Sequence, residues 1–218
     1  MDPVFVTGGT GYIGRPLIGA LHERGYVVHA LVRPGSEGKL PRTALPVIGN
    51  ALDGSSFVSA IPRGATVVHL VGTPHPSPAK AAEFQRVDLA SIRATTDAAW
   101  RAGAQHLIYV SVAHPAPVMH AYIAAREKGE SLVKASGIPA TILRPWYVLG
   151  PGHRWPYLLV PVYAVLRWLP ATRDGAERLG LVTRRAMIAT LVRAVETPPA
   201  AGMRIVDVPE IRRTARLT

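Results

Sequence analysis

The tightest constraint in this chain is a glycine-rich run near its start, Thr7-Gly8-Gly9-Thr10-Gly11-Tyr12-Ile13-Gly14. The apolar residues Val4-Phe5-Val6 precede it, and Arg15 to Glu23 follow with Leu17, Ile18 and Leu21 at helical spacing. A strand that passes directly into a helix through such a turn leaves few folds open. Gly8 permits the tight turn, Gly11 lets a ligand approach backbone that a Cβ would shield, and Gly14 allows close packing of the helix. The first N–H groups of that helix have no intrahelical acceptor, and with the helix dipole they favour an anion. The run therefore predicts a βα unit whose turn cradles a phosphate.

The rest of the chain repeats the same alternation. Gly25 ends the first helix, Tyr26 to Val32 forms a second strand, and Arg33 to Lys39 has the composition of a loop. Pro46-Val47-Ile48 is a short third strand, and Asp53 is placed to cap a helix over Phe57 to Ile61. Thr66 to Val71 is a fourth strand; Ser77-Pro78 starts a long helix that runs to about Ala102. Leu107 to Val112, a helix over His120 to Ala135 closed by Ser136-Gly137, and Ala140 to Leu143 complete six strands. This order predicts an α/β fold, a doubly wound parallel sheet of Rossmann type with helices on both faces. After Pro145 the rhythm weakens, although Thr183 can cap a helix over Arg184 to Val195 and Arg204 to Val208 has strand character. With no repeat and no flexible linker, residues 1–218 are expected to form one domain, 146–218 making a small C-terminal lobe on the substrate side.

A phosphate-binding turn in this context predicts a dinucleotide. NAD-preferring sites place an acid at the end of the second strand, where it bonds the ribose hydroxyls. That position here is Arg33, with no acid beside it. A cation there pairs with a 2′-phosphate, and Arg15, next to Gly14, can approach the same group, so NADP(H) is preferred over NAD(H). The competing reading of Arg33 is a solvated loop cation.

The formal charge of +11 raises the question of nucleic acid. The arginines are scattered, at Arg15, Arg24, Arg42, Arg63, Arg86, Arg93 and Arg101, and only the tail Arg212-Arg213-Thr214-Ala215-Arg216 is dense, so nucleic acid is not the expected partner. The chain has no cysteine, which excludes disulfides, thiolate nucleophiles and thiolate metal sites. His69 falls inside a strand and is expected to be a satisfied core residue; His114, His120 and His153 can approach a cleft mouth, but none has metal-ligand spacing, and no metal is expected. Met1-Asp2-Pro3 carries no basic region ahead of the first strand, so no signal peptide and a cytoplasmic location are expected. Tyr157 to Leu166 is apolar but far short of the ~20 residues of a spanning helix. It serves as the wall of an apolar pocket, as packing for the lobe, or, extended to Leu169 with its arginines, as a membrane-surface contact.

Thr7 to Arg15, Tyr109-Val110-Ser111, the Tyr122-x-x-x-Arg126-x-x-x-Glu130 pattern and Leu143-Arg144-Pro145 together resemble the atypical or extended short-chain dehydrogenase/reductases. Within that superfamily the similarity is greatest to the NmrA-like and complex-I-39-kDa-subunit-like branches, and it spans about Val4 to Val208. The resemblance implies that Gly8, Thr10, Gly11, Tyr12, Ile13 and Gly14 face the cofactor. It implies Asn50 near the adenine, Leu70, Val71 and Gly72 beside the adenine ribose, and Pro145, Tyr147 and Val148 beside the nicotinamide.

It also implies a catalytic Ser111, Tyr122 and Arg126. In catalytic relatives a Tyr-x-x-x-Lys pair exchanges a proton with the substrate oxygen while the nicotinamide exchanges a hydride. Here Arg126 stands where the lysine would be, which keeps the charge but not the geometry. Ser111 and Tyr122 are close in sequence for a full triad, and Asp88 stands where an Asn is common. Two readings of Tyr122 follow: a general acid assisted by Arg126, four residues on along the same helix face, or an aromatic side chain that packs there.

Gly150-Pro151-Gly152-His153-Arg154-Trp155-Pro156 and the apolar stretch after it are expected to form the far wall of the substrate site. Two functions fit these features. One is an NADP(H)-dependent oxidoreductase acting on a small apolar molecule, a carbonyl or quinone compound. The other is a non-catalytic dinucleotide-binding redox sensor or assembly protein with a partner protein.

Overall fold

The computed structural model describes residues 2–151, 175 and 177–214. Its main sheet has seven parallel strands: β1 (Val4–Thr7), β2 (Val28–Val32), β3 (Ala44–Ile48), β4 (Thr66–His69), β5 (His106–Val110), β6 (Ala140–Arg144) and β9 (Met203–Asp207). Their spatial order is β3-β2-β1-β4-β5-β6-β9. The order reverses direction between β1 and β4, which opens a crevice at the carboxyl ends of these two strands.

Both faces of the sheet are covered. On one face α1 (Gly14–His22), α5 (Arg184–Glu196) and α6 (Val208–Thr214) bury Leu17, Ile18, Leu21, Met187, Leu191 and Ile211. On the other, α3 (Ala90–Ala102) and α4 (His120–Ala135) bury Ile92, Ala98, Ala99 and Val133 against Phe5, Leu107, Tyr109 and Ile142. Each large apolar side chain removed from water this way stabilises the fold by about 1.5–3 kcal/mol. The near-continuous burial of β1, β4, β5 and β6 is what a sheet covered on both faces requires.

Several elements depart from the sequence expectation. The helix expected over Phe57 to Ile61 is instead a pair of 3-10 turns, Gly54–Ser56 and Val58–Ala60. Asp53 does act as a cap, accepting from Ser55 N at 3.0 Å, but Phe57 is drawn fully into the core, where its ring stacks 5.9 Å from Phe5. Gly54 lies so close to α3 that a Cβ would stand 2.8 Å from the Ala94 carbonyl oxygen. The long helix is not uniform: a 3-10 turn at Pro78–Lys80 leads into α2 (Ala81–Glu83), then a π-helical stretch over Phe84–Leu89, then α3. Ser77 precedes it without a side-chain capping bond.

Among the described residues, the C-terminal third supplies the last strand of the sheet, two helices on one of its faces and a separate two-stranded ribbon. Two short strands absent from the sequence reading, β7 (Tyr147–Leu149) and β8 (Leu181–Thr183), pair in parallel as a separate ribbon. Thr183 then caps α5, its hydroxyl accepting from Ala186 N at 3.1 Å. Residues 152–174, which include His153, the turn after Pro151 and the apolar stretch 157–169, lie outside the described residues, as does Arg216. Among the described residues no helix is long and apolar enough to cross a membrane.

Candidate functional site

The glycine run closes on itself before α1 begins. Gly8 adopts φ +78°, and a Cβ there would meet the Leu70 carbonyl carbon at 2.9 Å and Val71 N at 3.0 Å, so the turn is pressed against the chain leaving β4. Gly11 N donates to Gly8 O at 3.0 Å and Arg15 N to Gly11 O at 3.2 Å. A Cβ on Gly14 would lie 2.3 Å from Gly8 O and 2.7 Å from Gly9 Cα, so this glycine is required by the turn itself. Gly11 differs: the one close neighbour of a Cβ there is Gly8 O at 3.2 Å, and its outer side is open. The N-cap residue of α1, Ile13, offers no side-chain bond, and the first turn holds no acid. Open backbone at Gly11 and the start of α1, which has neither a side-chain cap nor an acid in its first turn, fit the phosphates of a dinucleotide.

Beside this turn lies a cleft of about 310 Å³. Tyr12 and Ile13 come to it from the glycine run, and Leu70, His75 and Pro76 from the chain after β4. Val110, Ser111 and Val112 come from the end of β5, Tyr122 and Arg126 from α4, and Pro145 to Val148 from the end of β6 and β7. Ser111, Tyr122, Arg126, Tyr12, Ile13, Leu70, Pro145, Tyr147 and Val148, all singled out from the sequence, therefore meet in one place at the crevice. His75, Pro76 and Val112 were not singled out; their side chains carry no motif, and only the sheet order brings them here.

Ser111 is 3% exposed, and its hydroxyl has no hydrogen-bond partner among the described residues. Tyr122 is half-buried and packs against Phe84, ring centroids 4.9 Å apart. Burial raises the pKa of Tyr147, which forms an edge-on contact with Trp146 at 5.5 Å.

Arg126 is held on several sides. Its guanidinium donates to Asp88 Oδ1 at 2.7 Å and to Val110 O at 3.0 Å, and it lies over the Tyr122 ring, 5.1 Å from the centroid. Asp88, fully buried, also accepts from Thr73 N at 3.0 Å and from the Thr73 hydroxyl at 2.5 Å. Burial works against the charge of Arg126, but the surrounding oxygens of Tyr122, Tyr109 and Asp88 outweigh it and push its pKa above the ordinary value. The two unusual residues of the sequence, Asp88 and Arg126, are thus each other's partner. Both are visible in the sequence as departures; their pairing is not, although two charge-bearing departures in one site were the available signal.

Further along α4, Glu130 receives both Nε, at 3.0 Å, and a terminal nitrogen of Arg144, and lies 3.5 Å from His114 Nε2. His69 fulfils its expected core role. Its Nδ1 lies 2.9 Å from Thr7 Oγ1 and 3.0 Å from Thr95 Oγ1, and burial, with a smaller effect of Arg126, lowers its pKa to about 3.

The remaining candidates sit around the turn. Arg33 is exposed at the end of β2, and Arg15 is exposed in the first turn of α1. Asn50 follows β3, its side-chain oxygen accepting from Leu52 N at 3.1 Å. Val71 and Gly72 are half-buried, and Gly72 abuts Arg126 so closely that a Cβ would lie 2.3 Å from a guanidinium nitrogen. Among the described residues no group of His, Asp and Glu is arranged to hold a metal ion.

Comparison with known proteins agrees with this geometry. Residues 8–154 match the family model described as NAD(P)H-binding. The chain belongs to that family, and its fold is that of the short-chain dehydrogenase/reductase Rossmann proteins. It is 30% identical over 213 residues to a ceramide reductase of Caulobacter vibrioides, covering 96% of this chain and 65% of that protein. It is 29% identical over 231 residues to a 3-diazoavenalumate denitrifying reductase of a Streptomyces species, covering 94% of this chain and 75% of that one. A short-chain dehydrogenase/reductase superfamily protein of Agrobacterium tumefaciens, solved with bound NAD, superposes with a TM-score of 0.69 at 21% identity, over 94% of this chain and 77% of its own.

Proposed function

We propose that this chain is an NADP(H)-dependent oxidoreductase acting on an apolar carbonyl or quinone-type substrate. The observation that carries the proposal is the meeting of Tyr122 and Ser111 with Tyr12 and Ile13 of the glycine run in one cleft. A bound nicotinamide dinucleotide supplies a hydride there. Tyr122 serves as the proton donor to the substrate oxygen. Ser111, whose hydroxyl has no partner among the described residues, hydrogen-bonds the same oxygen. Val110, Val112, Leu70, Pro145 and Trp146 make the walls apolar and limit water. Arg33, exposed at the end of β2, supplies the preference for a 2′-phosphate. The Caulobacter relative is named for reduction of a ceramide, which agrees with an apolar substrate.

The test is oxidation of NADPH across a panel of apolar aldehydes, ketones and quinones. Turnover is expected, with kcat reduced by about 10²–10⁴ in Tyr122→Phe. No oxidation across the panel, together with a Tyr122→Phe variant that changes nothing measured, would sink the proposal. A second reading, a dinucleotide-binding sensor without turnover, is favoured by one observation: the charge of Arg126 is taken up by Asp88. Tight NADPH binding without turnover, and a protein partner recovered with the chain, would select it.

A further inference from the structure

The helix entering α3 and the helix α4 meet in two rungs. Phe84 packs on Tyr122, and Asp88 pairs with Arg126, so each helix contributes two residues four positions apart. The π-helical stretch Phe84–Leu89 contains both lower members, Phe84 and Asp88. Such stretches appear mostly as single turns, frequently at functional sites. The carboxylate is shared: one oxygen takes Arg126, the other takes both donors of Thr73 in the chain after β4. Arg126 in turn bonds the carbonyl of Val110 at the end of β5 and covers one face of Tyr122. One buried ion pair therefore ties together three walls of the cleft.

We propose that Asp88 and Arg126 are positioning residues for Tyr122: the buried carboxylate holds the guanidinium on the tyrosine ring and away from the cofactor. Arg126 is then not a ribose ligand, although it occupies the position where catalytic relatives carry lysine. Asp88 acts at a distance, through Arg126, on the group that moves the proton. This rests on the reading of Tyr122 as proton donor, and it adds a residue, Asp88, outside the cleft lining. Two isosteric or neutral changes at once should be tolerated by the fold, because a buried pair replaced by neutral groups costs far less than a buried charge left alone.

The experiment compares Asp88→Asn, Arg126→Gln and the double variant in three measurements: thermal unfolding, calorimetric NADPH affinity, and turnover. A fourth follows the Tyr122 ring by NMR of ¹³C-tyrosine-labelled protein, assigned with Tyr122→Phe. Asp88→Asn is expected to lower kcat about tenfold or more with KM little changed, and to move the Tyr122 resonance. NADPH affinity is expected to stay within about threefold in all three variants, because on this proposal the guanidinium is held by Asp88 and does not ligate the cofactor. The double variant is expected to unfold closer to the parent than either single one while kcat stays low. The proposal is overturned if Asp88→Asn leaves the Tyr122 resonance in place. It is equally overturned if NADPH affinity falls about tenfold in Arg126→Gln without recovery in the double variant, which is the mark of a ribose ligand. If the parent binds NADPH but turns nothing over, the oxidoreductase reading fails, and the resonance and affinity measurements still decide the positioning role.

Discussion

Arg144 grips Glu130 with two of its nitrogens, joining the end of β6 to the middle of α4. The side chains are 21% and 8% exposed, so the pair is largely shielded from water. Arg144 directly precedes Pro145, which lines the cleft. The Arg-Pro dipeptide noticed in the sequence therefore has a mechanical meaning: the arginine anchors the strand end and the proline turns the chain along the cleft wall.

Removing one partner should expose the cost. Arg144→Met leaves Glu130 with His114 as its neighbour and is expected to destabilise the protein by about 2–3 kcal/mol, somewhat below the loss for a fully buried pair. Denaturant unfolding of Arg144→Met, Glu130→Gln and the double variant measures this. A double loss equal to or larger than the sum of the two single losses would contradict a favourable pairing.

The glycines of the turn should separate by function. Gly14→Ala drives a methyl group into backbone 2.3 Å away and is expected to lower both folding stability and NADPH affinity. Gly11→Ala meets one backbone oxygen, at 3.2 Å, so stability should change by about 1 kcal/mol or less while affinity falls about tenfold or more. Thermal melts beside calorimetric titrations read both effects. Equal affinity loss and stability loss in Gly11→Ala would contradict the open side assigned to it.

Acid should weaken the fold through two buried histidines. Burial lowers His69 to about 3, with a smaller contribution from Arg126, and burial lowers His106 to about 4, against an ordinary value of 6.5. The unfolded chain therefore binds protons that the folded chain refuses between 6.5 and these values, so stability is full above 6.5 and falls as pH drops. Each histidine contributes about 1.4 kcal/mol per pH unit in that window. Urea melts at stepped pH on the parent and His106→Asn test this, and the variant should lose the smaller amount between pH 6 and 5 by about that figure. Identical slopes would contradict it.

What could be seen in the sequence was whatever rests on local chemistry. The glycine run, the alternation of strands, the Thr183 cap and the buried His69 each have a signature within a few residues, and each is found in the structure. The short strands β7 and β8 have no such signature, because three residues carry too little periodicity and their pairing spans a long stretch of chain. Phe57 to Ile61 misled for a related reason: a capping Asp and apolar residues describe a helix, but the Phe57 ring was claimed by Phe5 across the core. Asp88 and Arg126 were visible as departures, but their contact depends on how α4 lies against the π-helical stretch, which no local pattern encodes.

The most direct test of the account is calorimetric titration of the protein with NADPH and, separately, NADH, repeated on Arg33→Ala. Binding of both cofactors, tighter for NADPH by about tenfold and equalised in the variant, is the predicted result. Failure of either cofactor to bind would contradict the account at its base. NADH binding as tight as NADPH in the parent would contradict the part assigned to Arg33.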